Sequence, residues 1–175
     1  LPSQSEIYPA EFTKYSAGPI GDIYEGKSRP GHFDGVLTVV RRLFDLVNPK
    51  VAIFGEKDFQ QLQLIKTIAD SVEIITAPTI RESDGLALSS RNIRLSAEGR
   101  VAASVIYRAL TQATTEDELR AVLASESALT LDYADFIDEK TFMHAQSSTK
   151  DVRAVVAGWI NGVRLLDNMQ MEKSA

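Results

Sequence analysis

Regular patterning begins near residue 35, where apolar residues recur at the spacing of an amphipathic helix. This spacing continues through residues 36–47 and ends before Pro49, a residue that helix interiors do not tolerate. The continuous apolar runs 51–54 and 72–77 are typical of buried strands, and a second helical pattern lies between them. Helix, strand, helix and strand joined by short links predict an α/β fold with a parallel sheet.

The second half of the chain has a different pattern, and we place a domain boundary near Thr79. The elements predicted there are a helix over 96–113, a helix over 116–125, a strand over 133–137 and a hairpin formed by 153–160 and 163–171. The hairpin prediction rests on Asn161-Gly162, a residue pair typical of two-residue turns between antiparallel strands. We therefore expect an α/β domain over residues 1–79, in which 1–31 is a connecting segment, and a small α+β domain with an antiparallel sheet over 80–175.

Composition and charge exclude several classes of protein. The 175 residues are 44% hydrophobic and 25% charged, which is ordinary for a globular protein. The absence of cysteine excludes a disulfide scaffold, and no apolar run is long enough to cross a membrane. The net charge of −5 argues against a nucleic-acid partner, and His32 and His144 lie too far apart in sequence to predict a metal site. Nothing indicates secretion, and we expect a cytoplasmic protein.

The first candidate for chemistry is the turn Gly55-Glu56-Lys57-Asp58, between a predicted parallel strand and a helix. Ligands of open α/β sheets bind at such strand ends, and a helix N-terminus presents free N–H groups to anions. Lys57 adds a mobile positive charge suited to phosphate oxygens. The alternative is a solvated turn in which Gly55 serves the geometry and Asp58 caps the helix.

The second candidate is the polar stretch 84–92, in which Ser89, Ser90 and Arg91 offer donors for phosphate. Gly85 makes this stretch pliable enough to close over a ligand, and the alternative is a polar inter-domain loop. One turn into the helix after Gly55, the pair Gln60-Gln61 offers an amide to a ligand at the strand end. For Trp159, which alternates with small and apolar residues, we expect core packing.

Three segments in this order, 31–40, 54–62 and 84–92, closely resemble the pantothenate synthetase (pantoate–β-alanine ligase) family, as does the ending 165–168. The resemblance implies a partial Rossmann-like nucleotidyltransferase domain over residues 1–79 and an adenylate-forming ligase. In that reaction the carboxylate of pantoate attacks the α-phosphate of ATP, and the amine of β-alanine then displaces AMP from pantoyl adenylate. Mg²⁺ accompanies the ATP, and no metal site on the protein is implied.

The resemblance also implies roles for individual residues. Those implied to contact ATP are Gly55, Glu56, Lys57, Asp58, Ile80, Leu88, Ser89, Ser90 and Arg91. Those implied to contact pantoate are Val39, Val40 and Gln61. The catalytic candidates are Lys57, Ser89, Ser90 and Arg91, because their donors suit the negative charge that develops on the phosphates.

The chain departs from the family at its start. Family members begin with a strand, a Pro-Thr-Met-Gly segment, a His-x-Gly-His motif for the ATP phosphates and a further pantoate-binding glutamine, none of which occurs here. His32 stands in Gly-His-Phe and is not a substitute for that motif. The resemblance thus implies the C-terminal part of the enzyme. Two alternatives stay open, a catalytically silent module of that enzyme and a related nucleotidyltransferase with another acceptor. Because family enzymes are dimers, we expect a homodimer.

Overall fold

The structure, a computed structural model, describes residues 2–171. Contacts within the chain divide it into two compact units, the first ending at Pro78 and the second beginning at Thr79. The elements of the first unit are α1 (Gln4–Ile7), α2 (Glu25–Ser28), α3 (His32–Val47), β1 (Val51–Gly55), α4 (Phe59–Lys66) and β2 (Glu73–Ala77). Those of the second unit are α5 (Ala97–Gln112), α6 (Glu116–Ala124), β3 (Leu129–Asp138), β4 (Val152–Ile160) and β5 (Val163–Met171).

Helix α3 is bounded by two residues with a left-handed backbone. Gly31 precedes it with φ of 75°, and Asn48 follows it with φ of 49° and donates its N–H to the carbonyl of Phe44. Glycine and asparagine are the residue types that adopt this conformation most readily, so both ends are set locally by the sequence. The helix therefore starts four residues before the predicted range and ends where Pro49 predicted.

Strands β1 and β2 pair in parallel, with Val51 opposite Glu73 and Gly55 opposite Ala77. This pairing confirms the predicted α/β unit with a parallel sheet. Because parallel strands run in the same direction, both carboxyl ends lie at one edge of the sheet. The buried core of this unit consists of Phe33, Leu37, Phe44, Leu64, Ile65, Ile68 and Ala69.

The segment before α3 has more regular structure than the predicted connecting segment. It contains α1, α2 and a 3₁₀ turn over Gly18–Asp22. Helix α1 begins with a capping box, in which the hydroxyl of Ser3 accepts from the N–H of Glu6 and the Glu6 side chain accepts from the N–H of Ser3. Short helices of this length escape periodicity arguments because they present less than two turns of pattern.

The helices of the second unit begin directly after residues whose side chains cap them. The hydroxyl of Ser96 accepts from the N–H of Gly99 at 3.0 Å, and Thr115 and Glu118 form a capping box at the start of α6. Such caps satisfy backbone donors that have no partner within the helix, and they explain why each helix begins where it does. Both predicted helices are confirmed.

The sheet of the second unit has the strand order β3-β4-β5 and is antiparallel throughout. Asn161 and Gly162 join β4 to β5 with φ of 49° and 75°, the positive values that a type I′ turn requires. The predicted hairpin and antiparallel sheet are therefore confirmed. The buried core of this unit consists of Leu86, Ala102, Ala103, Val105, Ile106, Ala109, Leu110, Ala113, Leu119, Leu123, Ala134, Ala154, Val156, Ile160, Val163 and Leu165.

Two expectations for this sheet were wrong. Strand β3 extends from Leu129 to Asp138, beyond the predicted 133–137, because its first residues pair with the end of β4 across an irregularity between Leu131 and Tyr133. Trp159 is 44% exposed and so is not a core residue. It alternates with the inward-facing Gly158 and Ile160, and strand alternation places it on the opposite face.

Candidate functional site

The turn after β1 joins the strand to α4 through a 3₁₀ segment, Glu56–Asp58. Gly55 is exposed, and a side chain there would meet no other atom within 4 Å, so a ligand has open access to this backbone. Asp58 occupies the N-cap position of α4, but its side chain makes no capping hydrogen bond. The predicted capping role of Asp58 is therefore wrong, and its carboxylate is left exposed at the strand end.

The two adjacent glutamines of α4 have different environments. Gln60 is buried, and its amide nitrogen donates to the carbonyls of Ile20 and Ile23 at 2.6 and 2.9 Å. Its Oε1 accepts from the N–H of Glu25 at 3.1 Å. Gln60 is thus committed to holding the segment before α3. Gln61 is half-buried, and within residues 2–171 no hydrogen bond engages its amide, which leaves it available to a ligand.

Helix α3 places four residues in one stripe. His32, Val36, Val39 and Val40 follow each other at the 4-7-8 spacing that brings side chains to one helix face. The three valines and His32 are all half-buried, and α3 packs against α4, the helix that carries Gln61. The predicted pantoate residues Val39, Val40 and Gln61 therefore lie on two helices in contact.

His32 lies on the same helix face as the predicted pantoate residues Val39 and Val40, which the sequence analysis did not predict. Burial, together with the nearby Arg29, lowers the pKa of His32, whereas Glu25 and Asp58 act in the opposite direction. Asp58 directly precedes α4, the helix against which α3 packs. The signal in the sequence was the one-turn spacing between His32 and Val36, which aligns the imidazole with the stripe of valines.

In the second unit, the predicted ATP residues Ile80 and Leu88 lie at the open end of a small hairpin over residues 80–88, whose turn is at 83–85. The N–H of Leu88 donates to the carbonyl of Ile80 at 2.8 Å, so these two residues, which are separated in the sequence, are adjacent in the structure. Both side chains are exposed, at 64% for Ile80 and 56% for Leu88. An exposed apolar pair of this kind is suited to the face of an aromatic base.

The predicted phosphate donors lie in a separate turn, residues 89–92, directly after the second strand of this hairpin. The hydroxyl of Ser89 accepts from the N–H of Arg91 at 3.2 Å, and the Ser89 carbonyl accepts from the N–H of Asn92 at 3.0 Å. Ser90 and Arg91 are exposed at this turn, and the Arg91 guanidinium reaches the carbonyl of Arg164 only at 3.4 Å. The turn thus presents two hydroxyls and a guanidinium within three consecutive residues.

The structure explains the glycine at position 85 differently from the sequence analysis. It is buried with φ of 85°, and a Cβ at this position would lie 1.9 Å from the ring of Tyr107. A glycine is therefore required by close packing and by the positive φ. These two constraints explain the glycine without the predicted flexibility of the stretch 84–92.

The far side of the hairpin is fixed by Glu82. Its carboxylate accepts from Asn92 Nδ2 at 2.7 Å and from Arg100 Nη2 at 2.5 Å. These bonds, from Arg100 first and then from Asn92, hold the pKa of Glu82 below its ordinary value. Asn92 Nδ2 also donates to the carbonyl of Ala87, so the buried Asn92 ties both strands of the hairpin together.

Beyond the predicted site, the described residues form a cavity but no metal cluster and no membrane-spanning helix. A cavity of about 350 Å³ in the first unit is lined by Tyr8, Phe12, Tyr15, Asp34 and neighbouring residues, and contains none of the predicted site residues. Across residues 2–171 no group of three or more His, Asp or Glu side chains is placed to hold a metal ion. No helix in that range is long and apolar enough to span a membrane.

An α/β unit with an open turn at the carboxyl end of a parallel strand, followed by an α+β unit with a hairpin that leads into a turn of exposed donors, places the chain in the nucleotidyltransferase fold class. The family model described as Pantoate-beta-alanine ligase matches residues 1–170. The chain belongs to this family.

Individual relatives agree with the family match. A pantothenate synthetase of Acidothermus cellulolyticus is 45% identical over 99% of this chain, and one of Chlorobium phaeovibrioides is 42% identical over 95%. Among solved structures, pantothenate synthetase from Thermus thermophilus superimposes over 97% of this chain with a TM-score of 0.87 and 38% identity. Pantoate-beta-alanine ligase from Francisella tularensis, complexed with beta-gamma ATP and beta-alanine, covers 99% with a TM-score of 0.76 and 35% identity.

These matches extend over part of each relative. The chain spans 64% of the length of the Acidothermus and Chlorobium proteins, 67% of the Thermus structure and 64% of the Francisella structure. The activity of these full-length proteins is therefore assigned to this chain as a proposal.

Proposed function

We propose that the chain supplies ATP and pantoate contacts to an adenylate-forming ligase that condenses pantoate with β-alanine in the cytoplasm. The observation that carries this proposal is the open turn Gly55–Asp58, which lies at the carboxyl end of a parallel strand and leads into α4, the helix that packs against α3. The Francisella relative, complexed with beta-gamma ATP and beta-alanine, supports the choice of substrates.

In the first step a carboxylate oxygen of pantoate bonds to the α-phosphorus of ATP, and the bond from that phosphorus to the bridging oxygen breaks. Pyrophosphate leaves with the electron pair, and negative charge grows on the phosphates. Lys57 in the first unit, and Ser89, Ser90 and Arg91 in the second, supply the positive charge and donors that stabilise this charge. Mg²⁺ enters as part of the ATP substrate complex.

In the second step the amine of β-alanine attacks the acyl carbon of pantoyl adenylate. The C–O bond to AMP breaks, an amide forms, and the ammonium group loses its proton to solvent. No residue of the chain has to form a covalent intermediate. Holding the reactants in the correct orientation accounts for much of the rate in reactions of this kind.

The substrate contacts follow from the chemistry of the two substrates. Pantoate carries a dimethyl-substituted carbon between two hydroxyl-bearing positions, which suits Val39 and Val40 beside the amide of Gln61. Adenine has two flat faces, which suits Ile80 and Leu88. The turn Gly55–Asp58 offers backbone groups, Lys57 and two carboxylates to the ATP and its magnesium ion.

The test is a two-stage assay of the 175-residue chain. Release of pyrophosphate with pantoate and Mg-ATP reports the first step, and release of pantothenate after adding β-alanine reports the second. Other hydroxy acids and amines serve as controls, because turnover with a different acceptor would favour a different nucleotidyltransferase. ATP binding without turnover would favour a silent module, and neither binding nor turnover would contradict the proposal.

The expected homodimer is part of the same proposal. Light scattering of the chain at several concentrations distinguishes a dimer of about twice 19.2 kDa from a monomer.

A further inference from the structure

Arg81 lies at the base of the hairpin and contacts three different parts of the second unit. Its Nη1 and Nη2 donate to the two carboxylate oxygens of Asp167 at 2.6 and 3.0 Å. Nη1 also donates to the carbonyl of Gly85 at 3.1 Å, and the guanidinium lies 4.8 Å from the ring centre of Tyr107. One side chain therefore joins the hairpin to β5 and to α5.

Asp167 is a rigid partner for this guanidinium. Its side chain is 4% exposed, and its Oδ1 also accepts from the N–H of Asn168 at 2.8 Å. The side chain of Asn168 in turn accepts from Arg153 at 2.5 Å, and Arg153 pairs with Glu139. Asp167 is thus a buried carboxylate held by a backbone bond on β5, and its neighbour Asn168 is held by Arg153 on the opposite face of the sheet.

The hairpin that Arg81 holds leads directly into the turn with the predicted donors. Arg81 is paired with Ala87 in the hairpin, and Gly85, whose carbonyl it binds, packs against the same Tyr107 ring. The second strand of the hairpin ends at Leu88, and the donor turn, residues 89–92, follows it at once. The anchored strand and the exposed donors are therefore consecutive in the chain.

We propose that Arg81 and Asp167 are positioning residues for the phosphate donors Ser89, Ser90 and Arg91. This inference rests on the proposed function and adds to it two residues that touch no substrate. A planar bidentate guanidinium–carboxylate pair fixes both distance and direction, which a single-point ammonium contact does not. Donors held in place before the reaction stabilise developing charge more effectively than donors that must be reorganised.

The decisive variant is Arg81→Lys, which retains the positive charge and removes the two-point geometry. The first measurement is amide hydrogen exchange over residues 82–92 without nucleotide, where we expect an increase of about tenfold or more. The second measures the two half-reactions separately, with ATP and pantoate for adenylation and with preformed pantoyl adenylate and β-alanine for amide formation. We expect kcat/KM for ATP to fall by about tenfold or more in adenylation, with amide formation within about twofold of wild type.

Two controls separate positioning from general destabilisation. Arg120→Lys makes the same chemical change in a guanidinium that pairs with Asp135 and Glu116, away from the hairpin. Leu123→Ala removes buried apolar volume from the core of the same unit. Both controls should leave exchange over 82–92 and the ratio of the two half-reactions near their wild-type values. Asp167→Asn should reproduce the Arg81→Lys pattern if the pair acts as a unit.

Equal loss in both half-reactions, or unchanged exchange over 82–92 in Arg81→Lys, would overturn the proposal. If the wild-type chain shows no adenylation, the proposed function fails, and the exchange measurement still judges whether Arg81 positions the donor turn 89–92. Should Arg81→Lys not fold, Asp167→Asn provides the same two readouts.

Discussion

The two segments that carry the proposed ATP contacts are held in place by different kinds of interaction. The turn Gly55–Asp58 gets its position from backbone geometry, since it connects a strand in a parallel sheet to the helix that follows. The hairpin of the second unit gets its position from side chains, chiefly Arg81 with Asp167 and Glu82 with Arg100 and Asn92. The turn should therefore tolerate substitutions among its neighbours better than the hairpin does.

This difference separates function from structure at the level of single residues. In the turn Gly55–Asp58, Gly55 has open space around it and the Asp58 side chain makes no capping bond, so we expect substitutions there to affect chemistry more than the backbone. In the second unit, the residues with chemistry lie in the turn 89–92, and residues of the hairpin before it hold that turn in place. Substitutions in the hairpin should change stability and activity together, whereas substitutions in the turn Gly55–Asp58 should change activity more than stability.

The largest effect is expected from Lys57→Ala. Loss of a positive charge on the phosphates should remove roughly 2–4 kcal/mol of transition-state stabilisation, as removal of an oxyanion donor does. This corresponds to a decrease of roughly 30- to 1,000-fold in pyrophosphate release. Amide formation from preformed adenylate should change far less. Normal pyrophosphate release by a folded variant would contradict the assignment of Lys57. It would also contradict the expectation that the turn Gly55–Asp58 contributes to the chemistry.

Gly85→Ala should show how tightly the hairpin is packed. The new Cβ would meet the Tyr107 ring, and the backbone would keep a positive φ, so we expect the second unit to lose about 2–3 kcal/mol of unfolding free energy. The matched variant is Gly162→Ala, which has φ of 75° and open space around the added Cβ, and should cost about 1 kcal/mol.

Denaturant unfolding followed by the fluorescence of Trp159, the single tryptophan, reports on the second unit in both glycine variants. Equal midpoints for Gly85→Ala and Gly162→Ala would indicate that the hairpin adjusts to the added methyl group. That result would contradict the tight packing of Gly85 against Tyr107.

The adjacent glutamines of α4 test the first unit. Gln60→Ala removes three hydrogen bonds to Ile20, Ile23 and Glu25 and should cost about 1–2 kcal/mol, with faster hydrogen exchange over residues 20–26. Gln61→Ala should change stability by less than about 0.5 kcal/mol while raising the KM for pantoate and leaving that for ATP unchanged. Parallel weakening of pantoate and ATP binding in Gln61→Ala would indicate a folding defect and remove it from the site.

The smallest effect concerns the response of the second unit to acid. Burial raises the pKa of Glu116, but hydrogen bonds from the N–H of Phe136 and from Arg120, with the charge of His144, outweigh burial and lower it below 4.5. A carboxyl group with a lowered pKa in the folded state stabilises that state above pH 4.5, and this stabilisation is lost as pH falls through the folded pKa.

Glu116→Gln should therefore destabilise the chain at pH 7 by about 1 kcal/mol or less, since its ion pairs are partly exposed. The difference from wild type should shrink as the pH is lowered below 4.5. Urea unfolding at pH 7 and pH 4 measures it, and a difference that stays constant with pH would show that the carboxylate charge has no part in holding α6 to β3.

Local signals in the sequence were sufficient for most of the elements. The Asn161-Gly162 turn, the cap at Ser96 and the pattern that ends at Pro49 all depend on residues within a few positions of one another. Strand β3 was underestimated because its pairing with the end of β4 is nonlocal, and its first residues carry no alternation that reveals it. Asp58 occupies the predicted cap position, yet the geometry of its side chain decided against a capping bond.

The sequence by itself determined the residue types of the candidate site and the order of the segments that carry them, because short-range spacing encodes strand ends, helix starts and turns. Tertiary structure alone decided which of two neighbouring glutamines is buried, on which face Trp159 lies, and why Gly85 is a glycine. It also brought Arg81 to Asp167, 86 positions away in the chain. Contacts across such distances depend on how the sheet and helices pack, and packing is a property of the folded chain that local pattern does not express.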